Sequence, residues 1–150
     1  MNVHITPASE ADGPSILQLL RDSGLPIDGV LDHLRSALVA RDDAAVAGCA
    51  ALELYADGAL LRSVAVSPAA RGRGVGRQLT EAAVALARSF EVPAVYLLTT
   101  TAESYFPRFG FVQTTRDRVP IGVQQSVEFR SACPASAIVM QKDLNESEER

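Results

Sequence analysis

Two hydrophobic periods run through the chain, and they sort it into strands and helices. Val3 to Ile5 is a short extended run, a first strand. Thr6-Pro7-Ala8-Ser9 turns, and Ser9 caps a helix whose first turn carries Glu10 and Asp12, where negative charge is favoured. Ile16, Leu17, Leu19 and Leu20 form its apolar face, and Gly24 ends it. After Pro26, the three- and four-residue spacing of Ile27, Val30, Leu31, Leu34 and Leu38 predicts a second helix. Asp42-Asp43 reads as a turn. Ala44 to Tyr55 is too long and too rich in small apolar residues for a solvent-facing strand, so it is expected at the centre of a sheet. Ala56-Asp57-Gly58 makes a hairpin into a strand over Ala59 to Val66, which Ser67-Pro68 stops.

A glycine-rich stretch, Arg71 to Gly76, then leads into an amphipathic helix with Val75, Leu79, Ala82, Ala83, Leu86 and Phe90 on one face. Pro93 breaks the chain before a buried strand over Ala94 to Leu98. Thr99-Thr100-Thr101 leads to a short helix around Ala102 to Phe109, closed by Gly110. Phe111 to Thr114 and Ala137 to Gln141 read as the last strands, and Thr115 to Ser136 shows no clear period. The order predicts an α+β fold: a mixed, mostly antiparallel central sheet flanked by about four helices. One domain is expected over 1–144, with a flexible polar tail over 145–150.

Composition narrows the classes. The 150 residues carry 14 basic and 18 acidic side chains, a net charge of −4. Lys142 is the one lysine, and Arg71, Arg73 and Arg77 fall close together. An acidic chain with one cationic cluster argues against a polyanionic partner such as nucleic acid and for one small anionic ligand. No run approaches the roughly 18 apolar residues that a membrane helix needs. Met1-Asn2-Val3-His4 lacks the basic and apolar regions of a secretory signal. Cys49 and Cys133 are far apart and form neither a metal motif nor a disulfide framework, so no metal is expected and the cytoplasm is the expected compartment. His4 and His33 are isolated and read as structural or surface groups.

The chemistry concentrates in Ser67-Pro68-Ala69-Ala70-Arg71-Gly72-Arg73-Gly74-Val75-Gly76, between a strand and a helix. Glycines let the backbone approach a ligand closely. The helix start presents unpaired N–H groups and the positive end of its dipole, and Arg73 and Arg77 add charge at the rim; together these suit a phosphate. The spacing is neither a Walker A loop nor G-x-G-x-x-G, and no acidic residue ends the next strand to hold a ribose.

Arg71-x-x-Gly74-x-Gly76 after Val64-Ala65-Val66-Ser67-Pro68 resembles the acyl-CoA pyrophosphate loop of the GNAT acetyltransferase superfamily. Tyr105-Phe106-Pro107-Arg108-Phe109-Gly110-Phe111 resembles that superfamily's closing aromatic-Gly-Phe signature, at the expected separation. Leu98-Thr99-Thr100 is similar to N-acetylglutamate synthase acetyltransferase domains. The segments Leu60 to Val66, Val119-Pro120 and Glu128 to Ala137 resemble small acetyltransferases of bacterial arsenic-resistance operons.

The resemblance implies acetyl-CoA as cosubstrate. The backbone of Val64, Ala65 and Val66 would hold its pantetheine arm, and Arg71, Gly72, Arg73, Gly74, Val75, Gly76 and Arg77 its pyrophosphate. Phe106, where many relatives have tyrosine, would border the thioester. Tyr105 is the candidate acid for the leaving thiolate, with water as the alternative, and a packed aromatic is the plainer reading. A backbone N–H near Val64 would stabilise the oxyanion. Glu53 and Ser63 lie beside the implied acceptor cleft, with Glu53 the candidate base. Strand alternation puts Arg62 and Ser63 on opposite faces. Arg62 and Arg130 are candidate clamps for an acceptor carboxylate, and Glu128 falls in the same segment as Arg130. Thr99 and Thr100 would touch the acceptor or cap the next turn. An arsenic ligand set would need clustered thiols, which Cys133 and distant Cys49 do not supply.

The expected activity is therefore transfer of an acetyl group to a small amine that also carries a carboxylate, an amino acid or an arsenic-containing analogue of one. A stand-alone N-acetylglutamate synthase, a non-catalytic acyl-CoA sensor and a peptide acetyltransferase are the alternatives, and a homodimer is left open.

Overall fold

The computed structural model describes residues 3–144, so the tail expected over 145–150 lies outside the described residues. Seven strands form one sheet: β1 (Val3–Pro7), β2 (Ala37–Asp42), β3 (Ala45–Tyr55), β4 (Gly58–Val66), β5 (Ala94–Thr99), β6 (Val112–Thr114) and β7 (Ile138–Asp143). Their order is β1-β2-β3-β4-β5-β7-β6, with β4 and β5 parallel and every other neighbouring pair antiparallel. Helices α1 (Gly13–Asp22), α2 (Val75–Ser89) and the short α3 (Ile121–Gln124), together with several 3-10 turns, cover the two faces. The mixed, mostly antiparallel α+β sheet matches the expectation.

Burial on both faces explains why the central strands read as apolar runs rather than alternations. Leu38, Ala40, Leu52, Ala59, Leu61, Val95 and Leu97 pack toward α2 with Phe106 and Phe111. Ala37, Val39, Cys49, Ala51 and Ala65 pack against α1 on the other side. Leu60, Ala94, Tyr96 and Val139 meet Val119 and Val123. Asp12, at the start of α1, is tied to β2 by paired bonds from Arg41, at 3.0 Å from Nη1 and 2.6 Å from Nη2. That guanidinium holds the Asp12 carboxyl below its ordinary range.

Three expectations need correction. The helix expected from Ile27 to Leu38 is a 3-10 segment over Val30–Ser36, and Leu38 lies in β2. The alternation of Ala37 and Val39 against Leu38 and Ala40 is only four residues long and coincides with the helical spacing upstream. The buried face of α2 is turned from the expected one. Val75, Leu79, Thr80, Ala83, Val84 and Ala87 are buried, whereas Phe90 is 51% exposed. The small residues Ala83 and Ala87 bring the helix close to the sheet. The helix expected over Ala102 to Phe109 is reduced to a 3-10 turn over Phe106–Phe109, because Pro107 supplies no backbone donor. Gly110 closes it at φ 91°, a conformation that glycine adopts freely. The unassigned stretch after Thr114 holds a 3-10 turn over Arg116–Arg118, α3, and a wide helical turn over Glu128–Ala132.

The closeness of α2 to the sheet depends on Gly48. A Cβ there would lie 2.9 Å from Leu79 Cδ1 and 3.0 Å from the Ala65 carbonyl oxygen. Gly48→Val is expected to lower the unfolding free energy by about 1–3 kcal/mol, the range for overpacking a filled core, as read from the denaturant midpoint.

Candidate active site: two cavities meeting at the β4 bulge

β4 sets the geometry. Its register against β3 pairs Cys49 with Ala65 but Ala51 with Arg62, so β4 carries an extra residue at this point. Ser63 takes φ 61° there, a left-handed conformation uncommon outside glycine. Such a bulge bends a strand and shifts its side-chain alternation by one residue. This corrects the expectation for Arg62 and Ser63: they do not point to opposite faces, and Arg62 Nε donates to Ser63 Oγ at 3.0 Å. The parallel register between β4 and β5 holds only at Ala59↔Val95 and Leu60↔Tyr96. Beyond Leu60 the two strands part.

A cavity of about 590 Å³ opens in that gap. Leu61 to Val64 of β4, Leu97 to Thr99 of β5, the Gly24–Asp28 loop, and Glu128 and Cys133 of the final crossing segment line it. A second groove of about 470 Å³ runs along Val64, Ala65 and Val66 to Arg71, Gly72, Gly74, Val75, Gly76 and Arg77, with Arg108 on its far side. Val64 and Tyr105 line both. The two spaces adjoin at those side chains.

The groove is built for an anion. Gly72 and Gly74 take φ 78° and 79°, and Gly74 immediately precedes α2, whose first amides lack intrahelical acceptors. A Cβ on Gly76 would sit 3.1 Å from the Tyr105 hydroxyl and 3.5 Å from Val66 Cγ2, so its glycine keeps the floor open. Arg71 Nε donates to the Val66 carbonyl at 3.1 Å, which pins one cation at the strand end. Arg73 is exposed and does not line the groove, against expectation; the left-handed turns at Gly72 and Gly74 on either side carry it off that face. Arg108 takes its place among the lining cations, stacked 5.5 Å over the Tyr105 ring. The sequence signal for it was its position inside the aromatic signature. These residues fit a diphosphate.

The larger cavity carries the titratable groups. Arg62 is fully buried and bound on every side. Nη1 donates to Glu53 Oε2 at 2.9 Å and to the Asp28 carbonyl at 2.6 Å; Nη2 donates to the Pro26 carbonyl at 3.1 Å. Nε lies 3.3 Å from Glu128 Oε2. A guanidinium so engaged is no free clamp for an acceptor carboxylate, against expectation. Glu53 is 1% exposed and does not line the cavity; the Tyr55 hydroxyl donates to its Oε1, with His33 Nε2 at 3.4 Å. It is the buried counter-ion of Arg62, not a base facing the acceptor. Arg130 is exposed and outside the cavity, because the wide turn over Glu128–Ala132 turns Glu128 inward and Arg130 outward.

Asp28 and Glu128 are thus the carboxylates that line the cavity; Glu128 is the buried one, and sequence reasoning gave it no role. Its one signal was a carboxylate in the quoted segment before Cys133. Burial pushes its carboxyl up to about 7, against the pull of Arg62, and the charges of Glu53 and Asp28 push the same way. Thr99 is buried, and its Oγ1 accepts from the Ala102 amide at 2.9 Å, while Thr100 is exposed at the cavity edge. Phe106 borders the cavity and stacks edge-on with Tyr105 at 5.2 Å and Phe111 at 5.9 Å. The Tyr105 hydroxyl lies against the first turn of α2, beside Gly76. Cys133 lines the cavity with its thiol pushed up to about 12 by burial, and Cys49 donates from inside the sheet to the Ser63 carbonyl. No cluster of metal-ligating side chains occurs among the described residues.

Comparison with known proteins agrees with this geometry. The acetyltransferase (GNAT) domain family matches residues 33–113. An uncharacterized N-acetyltransferase of Chlorobaculum tepidum is 30% identical over 117 residues, covering 75% of each chain. An amino-acid acetyltransferase of Ralstonia nicotianae is 30% identical over 128 residues, which are 78% of this chain but only 28% of that enzyme. Among solved structures, N-acetylglutamate synthase from Neisseria gonorrhoeae, complexed with coenzyme A and N-acetyl-glutamate, superposes with a TM-score of 0.81 at 24% identity, over 96% of this chain and 35% of that one. That likeness is one of fold. With the family match spanning the β4 bulge, the glycine-arginine groove and the aromatic turn, the chain belongs to the GNAT family of acetyl-CoA-dependent N-acetyltransferases.

Proposed function

We propose that the chain moves an acetyl group from acetyl-CoA to the amine of a small amino-acid-like acceptor. The observation that carries this reading is the meeting of the anion groove and the titratable cavity at Val64 and Tyr105. Acetyl-CoA bound in the groove supplies an acyl group activated as a thioester. The α2 amides, with Arg71, Arg77 and Arg108, hold its diphosphate. The edge of β4 beyond Leu60 is not paired with β5, which leaves it for the arm of acetyl-CoA; a backbone N–H near Val64 stabilises negative charge on the acyl oxygen in this reading. The hydroxyl of Tyr105 serves the groove, beside Gly76, and the departing sulfur takes its proton from the acceptor nitrogen or from solvent.

At the cavity edge, Thr100 and Thr101 present hydroxyls to the acceptor's carboxylate, in place of the arginine clamp that Arg62 and Arg130 do not provide. Amino-acid acetyltransferases among the relatives support an amino-acid acceptor, and the N-acetyl-glutamate bound by the structural neighbour from Neisseria gonorrhoeae puts glutamate among the first to try. An arsenic-containing analogue has no support in the site, where Cys133 is the one thiol among the described lining residues. Release of free thiol from acetyl-CoA, followed over a panel of amino acids, their amides and short peptides, tests this reading. Turnover of free amino acids above their amides is expected. Turnover confined to peptides, or to none of the amines while coenzyme A still binds, would overturn it.

A further inference from the structure

We propose that Glu128 is the acceptor-side base of this site: the acceptor enters as its ammonium ion, becomes the counter-ion of Glu128 and gives it a proton, while Glu53 acts only by holding Arg62. The inference rests on the acetyl-transfer reading above and adds the residue that makes the acceptor nucleophilic.

Unbalanced charge among buried side chains singles out Glu128. Three ionisable side chains, Glu53, Arg62 and Glu128, are 5% exposed or less and lie in a row. Their formal sum is −1, with the part-exposed His33 imidazole 3.4 Å from Glu53 Oε1, at the Glu53 end of the row. Asp28 adds a further negative influence from the loop over the cavity mouth, and the Cys133 thiol faces Glu128 from the segment after the wide turn. A carboxylate taken from water needs a partner in proportion to its loss of hydration. Arg62 gives Nη1 to Glu53 and only Nε to Glu128, sharing that edge with Ser63 Oγ. Glu128 is therefore only partly compensated, and the row lacks one positive charge. The cavity it faces holds no other cation among the described lining residues. A proton or an ammonium ion fills that place; burial, with the charges of Glu53 and Asp28, pushes its carboxyl up to about 7 in the free protein.

The step balances simply. The acceptor ammonium passes one proton to Glu128 and becomes a neutral amine. Its lone pair forms the C–N bond as the C–S bond breaks, the second nitrogen proton goes to the departing sulfur, and Glu128 returns its proton to solvent. Positioned proton transfer of this kind contributes about 10²–10⁴ in rate.

Glu128→Gln is expected to lower kcat/KM for the acceptor at least about 100-fold, with coenzyme A affinity and melting curve near those of the parent. In the parent protein kcat/KM should fall on the acid side of about pH 7. Glu53→Gln removes a charge that raises the Glu128 pKa and leaves Arg62 freer to lower it, so its acid limb should move to lower pH, a shift that a scaffold role would not produce. The carboxyl of Glu128, followed by carbon-13 NMR in the free protein, should titrate near 7. A Gln variant within threefold of the parent, or a carboxyl that titrates near 4, overturns the proposal. If the parent turns over no amine, the transferase reading fails, and the NMR titration still decides the charge argument.

Discussion

Arg62→Met is expected to destabilise the protein by about 3–5 kcal/mol at neutral pH, the cost of stripping one partner from a buried ion pair. In a chain of this size that corresponds to a fall in melting temperature on the order of 10 °C. Methionine has much of the volume but none of the donors. It abandons Glu53 and Glu128 in an interior where they are 1% and 5% exposed, along with the carbonyls of Pro26 and Asp28. The loss should depend on pH in a stated direction. Glu128 sits above its ordinary value near 4.5 in the folded chain because burial disfavours its charge, and removing Arg62 raises it further. A carboxyl raised by folding favours the folded state below its unfolded value, and that contribution is lost as pH rises through the folded value. The deficit of the variant should therefore be smallest below about pH 7, where the carboxyl is protonated in both folded proteins, and grow as pH rises to about 9. Thermal melts of both proteins across that range check it; a deficit that grows on acidification would contradict the assigned network.

Gly74→Val is expected to weaken coenzyme A binding about tenfold to a hundredfold while leaving the sheet folded. The position sits at φ 79°, where a residue with a Cβ is strained and a β-branched one more so. No heavy atom lies within 4 Å of a Cβ built there, so the penalty is conformational and not a clash. Relief of the strain re-aims the first amides of α2, and with them the anion site. A loss of about 1.4–2.8 kcal/mol in binding gives the stated range. Calorimetric titration with coenzyme A measures it, and Arg73→Ala, outside the groove, is the contrast expected to bind normally. A loss in Arg73→Ala as large as that in Gly74→Val would show that Arg73 itself holds the ligand, against its place outside the groove.

The parts that could be read from sequence were those with a local physical signal. The strand ending at Val66, the glycines at 72 and 74 and the amphipathic run from Val75 announce a loop and helix start without any long-range information. β2 was hidden because a four-residue alternation inside a helical spacing favours neither period. The face shared by Arg62 and Ser63 was illegible for a sharper reason: one inserted residue reverses alternation, and nothing in Leu61-Arg62-Ser63-Val64 marks an insertion. That bulge decides which side chains reach the cavity, so roles assigned by alternation failed with it. Glu53 and Glu128 exchange places between expectation and structure because burial and pairing are properties of the assembled sheet. Arg108 was in view within the aromatic signature, but its reach to the groove depends on the turn that Pro107 shortens.

Groove and cavity form one site joined at Val64 and Tyr105 in the proposed reading. The most direct measurement is the map of backbone amide shifts on adding coenzyme A to the labelled protein. The amides from Arg71 to Gly76 and those of Ser63, Val64 and Tyr105 should move together with one binding curve, and a subsequent amino acid should move Ser63, Thr100 and Glu128. Shifts confined to Arg71 to Gly76, with Ser63, Val64 and Tyr105 unmoved even at saturation, would contradict it.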